Sequence, residues 1–94
     1  MTVVWLLSAI RDLRELRDYI AERDAGSASV VVARTRSTVQ TLDQFPLAGR
    51  AGREAGTHEL AVARTPYIVV YRVTERDLEI YRIRHGAQRW PTID

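Results

Sequence analysis

The stretch "PYIVVYRV", residues 66–73, decides the fold. Tyr67, Val69, Tyr71 and Val73 fall on one alternating set, Ile68 and Val70 on the other, and both sets are apolar. A strand with one wet face alternates polar and apolar residues, so a strand apolar on both faces is covered on both and stands in the middle of a sheet. Two further runs of strand character flank it, "THELAVA" (57–63) and "LEIYRIRH" (78–85), separated from it by "RT" and "TERD". Separators this short imply antiparallel neighbours. In the last run a strict period of two puts Leu78 and Ile80 on one face with Arg82 and Arg84, and Tyr81, Ile83 and His85 on the other. Its far end is therefore expected to leave the core and meet solvent or a partner.

Working back towards the N-terminus, "PLAGRAGREAG" (46–56) carries three glycines and a proline and reads as a loop. Before it lie two helical patterns. "VVWLL" opens the chain as a short strand, Ser8 offers a side-chain oxygen to cap a helix from about Ala9, and Ala9, Leu13, Leu16 and Ile20 repeat at helical spacing to about Asp24. On the opposite side Asp12, Glu15 and Asp18 alternate with Arg11, Arg14 and Arg17, the pattern of a solvated, ion-paired face. "DAGSAS" (24–29) is a turn. Ala28, Val31, Val32, Thr35, Val39, Leu42 and Phe45 then mark a second stripe, which Pro46 stops. The order β-α-α-β-β-β is an α+β fold in which a helical hairpin packs on one face of a small antiparallel sheet, as a single domain over residues 1–94.

At 94 residues a domain buries only about 60–65% of its unfolded surface, so it gains stability from a partner that covers more. There is no cysteine, hence neither a disulfide framework nor a thiolate metal site, which points to a reducing cytoplasm. The longest apolar stretch, "VVWLLSAI", is far shorter than the about 20 residues that span a bilayer and follows no basic residue, so neither membrane association nor a signal peptide is expected. All fourteen basic residues are arginine. A guanidinium stays protonated, so these cations bind and orient rather than carry protons. Residues 1–45 balance six arginines with six acids, whereas residues 64–94 set six against four, which confines any attraction for a polyanion to the C-terminal end.

That end, "RIRHGAQRWPTID" (82–94), holds the candidate contact residues Arg82, Arg84, His85, Gln88, Arg89 and Trp90. Persistent charge, an amide and a large flat ring are enriched in binding hot spots and poor in proton-transfer groups. Elsewhere Glu59 is a strand carboxylate expected to pair with Arg72 or Arg82, His58 a half-buried strand residue, and Tyr67 and Tyr71 core aromatics. Neither a His-x-x-His spacing nor a glycine-rich phosphate loop after a strand occurs, so no metal and no cofactor is expected.

Five motifs in order, Trp5-Ala9-Asp12-Leu13-Tyr19-Ile20-Ala21, "FPLAGR" (45–50), "GTHEL" (56–60), "PYIVVYRV" and "RHGAQRWP" (84–91), resemble the RelE/ParE superfamily of bacterial type II toxins over nearly the whole chain. The resemblance implies the β-α-α-β-β-β fold and a cognate ParD/RelB-like antitoxin whose C-terminal segment wraps and silences the toxin, with operator DNA met only through that antitoxin. It leaves two activities, since RelE-like members cut messenger RNA on the ribosome and ParE-like members poison DNA gyrase. Fold alone does not separate them.

Cleavage through the ribose 2′-OH needs a base, cations beside the phosphate and an acid for the leaving oxygen. In the nuclease branch basic side chains on the sheet supply much of this, and the positions they would occupy here hold Glu59, Ala61 and Ile68. Trp90 is followed by no tyrosine, and His58 stands where related sequences often have arginine. If the chain is a nuclease, His85 and Glu59 are its candidate acid and base; the expectation is instead a ParE-like gyrase-binding toxin without a catalytic residue. The antitoxin is expected to cover the seam of the helical hairpin and the adjacent sheet, with Arg11, Arg14 and Arg17 as its cationic border.

Overall fold

The two-sided apolar strand stands at the centre of the molecule. The computed structural model describes residues 1–87, with β1 (Thr2–Trp5), α1 (Leu7–Ala21), α2 (Ala25–Gln44), β2 (Arg50–Ala51), β3 (His58–Ala61), β4 (Tyr67–Val73) and β5 (Asp77–His85). The sheet order is β1-β5-β4-β3-β2. The helical hairpin and the antiparallel β3-β4-β5 meander match the sequence reading, but β1 runs parallel to β5, with Thr2 opposite Asp77 and Trp5 opposite Ile80, so the sheet is mixed. The segment read as a loop also contributes β2, a two-residue edge strand paired with β3.

Asp24 caps α2 by accepting the Ser27 N–H, and that bond holds its carboxyl below the ordinary range, so the second helix starts inside the stretch read as a turn. The core lies between the hairpin and one sheet face. Ala9, Leu16, Val39 and Leu42 meet Val69, Tyr71, Leu78, Ile80 and Ile83, while Leu13 and Ile20 pack at its margin.

Ile83 corrects the period-two reading of the last strand. Val70 pairs with Arg82 but Tyr71 pairs with Ile80, so Tyr81 is an extra residue, a bulge. The bulge shifts the phase by one. Ile83 rejoins Leu78 and Ile80 in the core, and Arg82 and Arg84, opposite Val70 and Ile68, fall on the other face. No periodicity carries this information, because a bulge is set by how two strands pair.

The bulge coincides with a change of neighbour along the edge of β5. β1 covers that edge only to Ile80, whose carbonyl accepts the Leu6 N–H at 3.0 Å. Beyond it the first turns of α1 take over: the Ser8 hydroxyl donates to the Tyr81 carbonyl at 2.6 Å, and Asp12 Oδ2 accepts the Ile83 N–H at 2.9 Å. Four residues of helix rise about 6 Å and two residues of strand about 6.6 Å, so a helix can stand in for a strand at this spacing. Asp12 also takes Arg82 Nε at 2.7 Å and Nη2 at 3.0 Å, a forked pair. Two sequence expectations change accordingly. Ser8 is not a helix cap, since α1 starts at Leu7 without a side-chain cap, and Asp12 belongs to the sheet edge rather than to a solvated arginine-laced face.

Gly49 explains the glycine of "FPLAGR". Its N–H donates to the Tyr71 hydroxyl at 2.9 Å, and a Cβ there would stand 2.6 Å from that oxygen and 2.7 Å from the Glu59 carbonyl. Gly49→Ala is expected to cost about 1–3 kcal/mol through overpacking and the displaced hydrogen bond. A urea midpoint equal to that of the unsubstituted protein would show that the loop yields without cost.

Candidate functional site

The sheet face turned away from the helices is where a phosphate cradle would have to be built. Residues opposite one another in an antiparallel pair share a face. Glu59 pairs with Val70 and Ala61 with Ile68, so these four residues lie together on that face, with Arg82 and Arg84 beside them. Glu59 is only 3% exposed. Its carboxylate accepts the Arg53 N–H at 2.7 Å and Arg50 Nη2 at 3.3 Å, and the Arg53 guanidinium stands 3.9 Å away. These partners replace the expected Arg72 and Arg82, because the loop before β3 folds back over the face. Arg72 instead reaches Glu79 at 3.7 Å and lies over the Tyr81 ring. Arg84 reaches Glu54 at 3.4 Å.

His85 is on the other face. It pairs with Tyr67, which alternation puts on the same face as core residues Val69 and Tyr71, and its ring meets Tyr67 edge-on at 5.5 Å. His85 Nδ1 accepts the Ala87 N–H at 3.1 Å, which leaves Nε2 to carry the proton of a neutral ring. The sheet thus separates Glu59 from His85, and the two cannot act on one phosphate. His58 is half-buried and stacks on Tyr71 at 5.3 Å, whose hydroxyl is pushed above the ordinary tyrosine range by burial.

A concavity of about 790 Å³ runs between β1 and the helical hairpin. Val3 and Trp5 of β1, Ile10 and Leu13 of α1, and Val32 and Val39 of α2 give it an apolar lining, while Arg14, Arg17 and Arg36 stand along it. A shallower cleft continues from it past Arg17 and Arg36 among the small residues Ala21, Ala25, Ala28 and Ala33. Two of the three expected arginines therefore meet on this groove, Arg14 and Arg17, whereas Arg11 is exposed on α1 outside its lining. Arg36 was missed. The signal was present, since Arg36 follows Val32 by four residues and precedes Val39 by three, but only the hairpin packing shows that this stripe edge faces α1.

Of the expected target-contact residues, Arg82, Arg84 and His85 end β5 together, and Gln88, Arg89 and Trp90 lie outside the described residues. Asp12 takes two of the five N–H donors of Arg82 and raises its pKa, chiefly through the hydrogen bond. Among the described residues no group of acidic, histidine or cysteine side chains is arranged to hold a metal, and no helix is long and apolar enough to cross a membrane.

Residues 3–90 match the family model described as "ParE toxin of type II toxin-antitoxin system, parDE". The chain is 43% identical over 89 residues to Y4kP of Sinorhizobium fredii, which bears a provisional toxin name, covering 95% of this chain and 92% of that protein. It is 35% identical over 86 residues to toxin RelE2 of Caulobacter vibrioides, covering 92% and 96%. A chain of the chromosomal ParDE TA system from P. aeruginosa superposes with a TM-score of 0.81 at 27% identity, over 90% of this chain and 95% of that one. With the hairpin-on-sheet fold and these matches along nearly its whole length, the chain belongs to the ParE toxin family of type II toxin-antitoxin systems.

Proposed function

We propose that this toxin acts by binding and poisoning DNA gyrase in the cytoplasm, cleaves no RNA, and is silenced by a cognate ParD/RelB-like antitoxin through which alone it meets operator DNA. The observation that carries the reading is the sheet face away from the helices. Where cations would have to surround a scissile phosphate, Glu59 is buried and tied to Arg50 and Arg53, flanked by Ala61 and Ile68, and His85 lies on the opposite face. Base, cation and acid must converge within hydrogen-bond reach of one phosphate, and here the histidine lies across the sheet from Glu59 and the arginines around it.

The contact surface for gyrase is the end of β5 and the residues after it: Arg82, Arg84, His85, Gln88, Arg89 and Trp90. The antitoxin takes the groove between β1 and the hairpin. An apolar floor with Arg14, Arg17 and Arg36 along it suits an amphipathic segment with acidic flanks, and β1 offers an outer edge that no described strand pairs. Similarity to a chain of a ParDE system supports such a partner.

The purified chain is expected to block gyrase supercoiling and to accumulate cleaved DNA, and removal of residues 88–94 is expected to abolish both while antitoxin binding persists. Codon-specific cuts in messenger RNA on purified ribosomes, with supercoiling unaffected, would overturn the gyrase reading.

A further inference from the structure

Arg64, in the turn between β3 and β4, holds a backbone conformation that its side chain disfavours. Its φ is 60°, the left-handed region, and among the described residues it is the only non-glycine there. An L side chain in that region is crowded against the carbonyl that follows it, a cost that glycine avoids and asparagine tolerates. The turn shows how the strain is held. The Val62 N–H donates to the Tyr67 carbonyl at 2.9 Å, the Thr65 N–H and hydroxyl both donate to the Val62 carbonyl, at 3.2 and 2.9 Å, and Thr65 Oγ1 accepts the Tyr67 N–H at 3.0 Å. Pro66 disfavours helical backbone at Thr65, so the reversal of the chain falls on Ala63 and Arg64.

None of these bonds uses the arginine side chain, and a glycine or asparagine at position 64 would meet them equally well. The Arg64 side chain is exposed and makes no hydrogen bond or ion pair with any described residue. The cations of β5 differ in this respect, since Arg82 is paired with Asp12 and Arg84 with Glu54. The turn is also joined to the end of β5: the Pro66 carbonyl accepts the Gly86 N–H at 2.7 Å, and Tyr67 pairs with His85. Strain held at a side chain that the fold itself does not use points to a contact outside the fold.

We propose that Arg64 is a target-contact residue, held by the strained turn beside the end of β5 so that its guanidinium meets a carboxylate of gyrase; this rests on the gyrase reading above. A carboxylate suits the surroundings better than a DNA phosphate. Phosphate backbones are gripped by several cations at once, whereas Arg64 stands among exposed Ala63 and Pro66 and half-buried Tyr67, with Arg82 and Arg84 already in ion pairs. An arginine in apolar and aromatic company is the composition of a protein–protein hot spot, and its fork matches a carboxylate in two hydrogen bonds.

Three variants of the full-length chain separate contact from strain. Arg64→Asn relieves the backbone and removes the cation, so Tm is expected to rise by about 2–5 °C while affinity for purified, DNA-free gyrase, measured by calorimetry, falls at least about tenfold. Arg64→Ala keeps the strain and loses the cation, so the same loss of affinity should come with a Tm within about 1 °C of the unsubstituted chain's. Arg64→Lys, a charge without the fork, should bind with intermediate affinity. Arg64→Asn binding DNA-free gyrase as tightly as the unsubstituted chain would overturn the contact, and a loss of affinity seen only when DNA is present would overturn it in favour of a phosphate. A Tm lowered by Arg64→Asn would overturn the strain. An unsubstituted chain that neither binds nor inhibits gyrase would instead overturn the gyrase reading itself, and this contact with it.

Discussion

Asp12→Ala is expected to destabilise the protein by about 2–3 kcal/mol, a fall of roughly 10–20 °C in Tm for a domain of this size. One carboxylate takes both the Arg82 fork and the Ile83 N–H, so its loss strands a guanidinium and a backbone donor together. Full burial would make the cost larger. The side chains are 12% and 30% exposed for Asp12 and Arg82, so water screens part of it. Asp12→Asn keeps an acceptor for Ile83 and loses the charge, and about half the effect is expected. Thermal melts of both variants test the edge cover directly: a fall of under about 3 °C for Asp12→Ala would mean that the first turns of α1 do not replace a strand there.

The simultaneous change of Arg14, Arg17 and Arg36 to glutamate is expected to weaken antitoxin binding by about 10²–10³-fold, since reversing three charges against an acidic segment costs on the order of 3–4 kcal/mol. Folding should be spared. The three residues are exposed, and the ion pair of Arg17 with its neighbour Asp18 is a surface contact worth little. Calorimetric titration with the antitoxin measures the loss, and co-expression gives a second readout, because the variant should arrest growth even when the antitoxin is present. A loss of under about tenfold would remove the groove from the antitoxin interface.

What the sequence made legible is whatever a single element's own periodicity dictates. β4 declared itself central because both of its faces are apolar, and the helical stripes of Ala9, Leu16, Val39 and Leu42 marked the core. What stayed hidden depends on pairs of elements. The bulge at Tyr81 exists only in the register of β5 against β4, and it decided the faces of Ile83, Arg82 and Arg84. Asp12 has the spacing of a solvated helix face, and only the place where β1 stops reveals that a strand edge needs it. The same holds for the candidate sites. Glu59 and His85 are plausible partners as residue types, and the parity of two strands puts the sheet between them. Glycine positions in "FPLAGR" and "GTHEL" were visible as a pattern, but the reasons, a tyrosine hydroxyl above Gly49 and a positive φ of 78° at Gly56, are tertiary and conformational.

The parallel pairing of the first strand with the last carries a consequence for when the toxin comes into being. Among the described strands β1 pairs with β5 alone, and the contacts that lock α1 to the sheet span 73 residues from Ser8 to Tyr81 and 70 from Asp12 to Arg82. Until β5 has been made, at about 5–20 residues per second, the first strand lacks the strand it pairs with and the groove it helps to line does not exist. The hairpin of α1 and α2 can collapse early, but the sheet closes only once β5 is free of the exit tunnel. The groove between β1 and the hairpin and the end of β5 are therefore completed in one closing step, after the last strand has emerged.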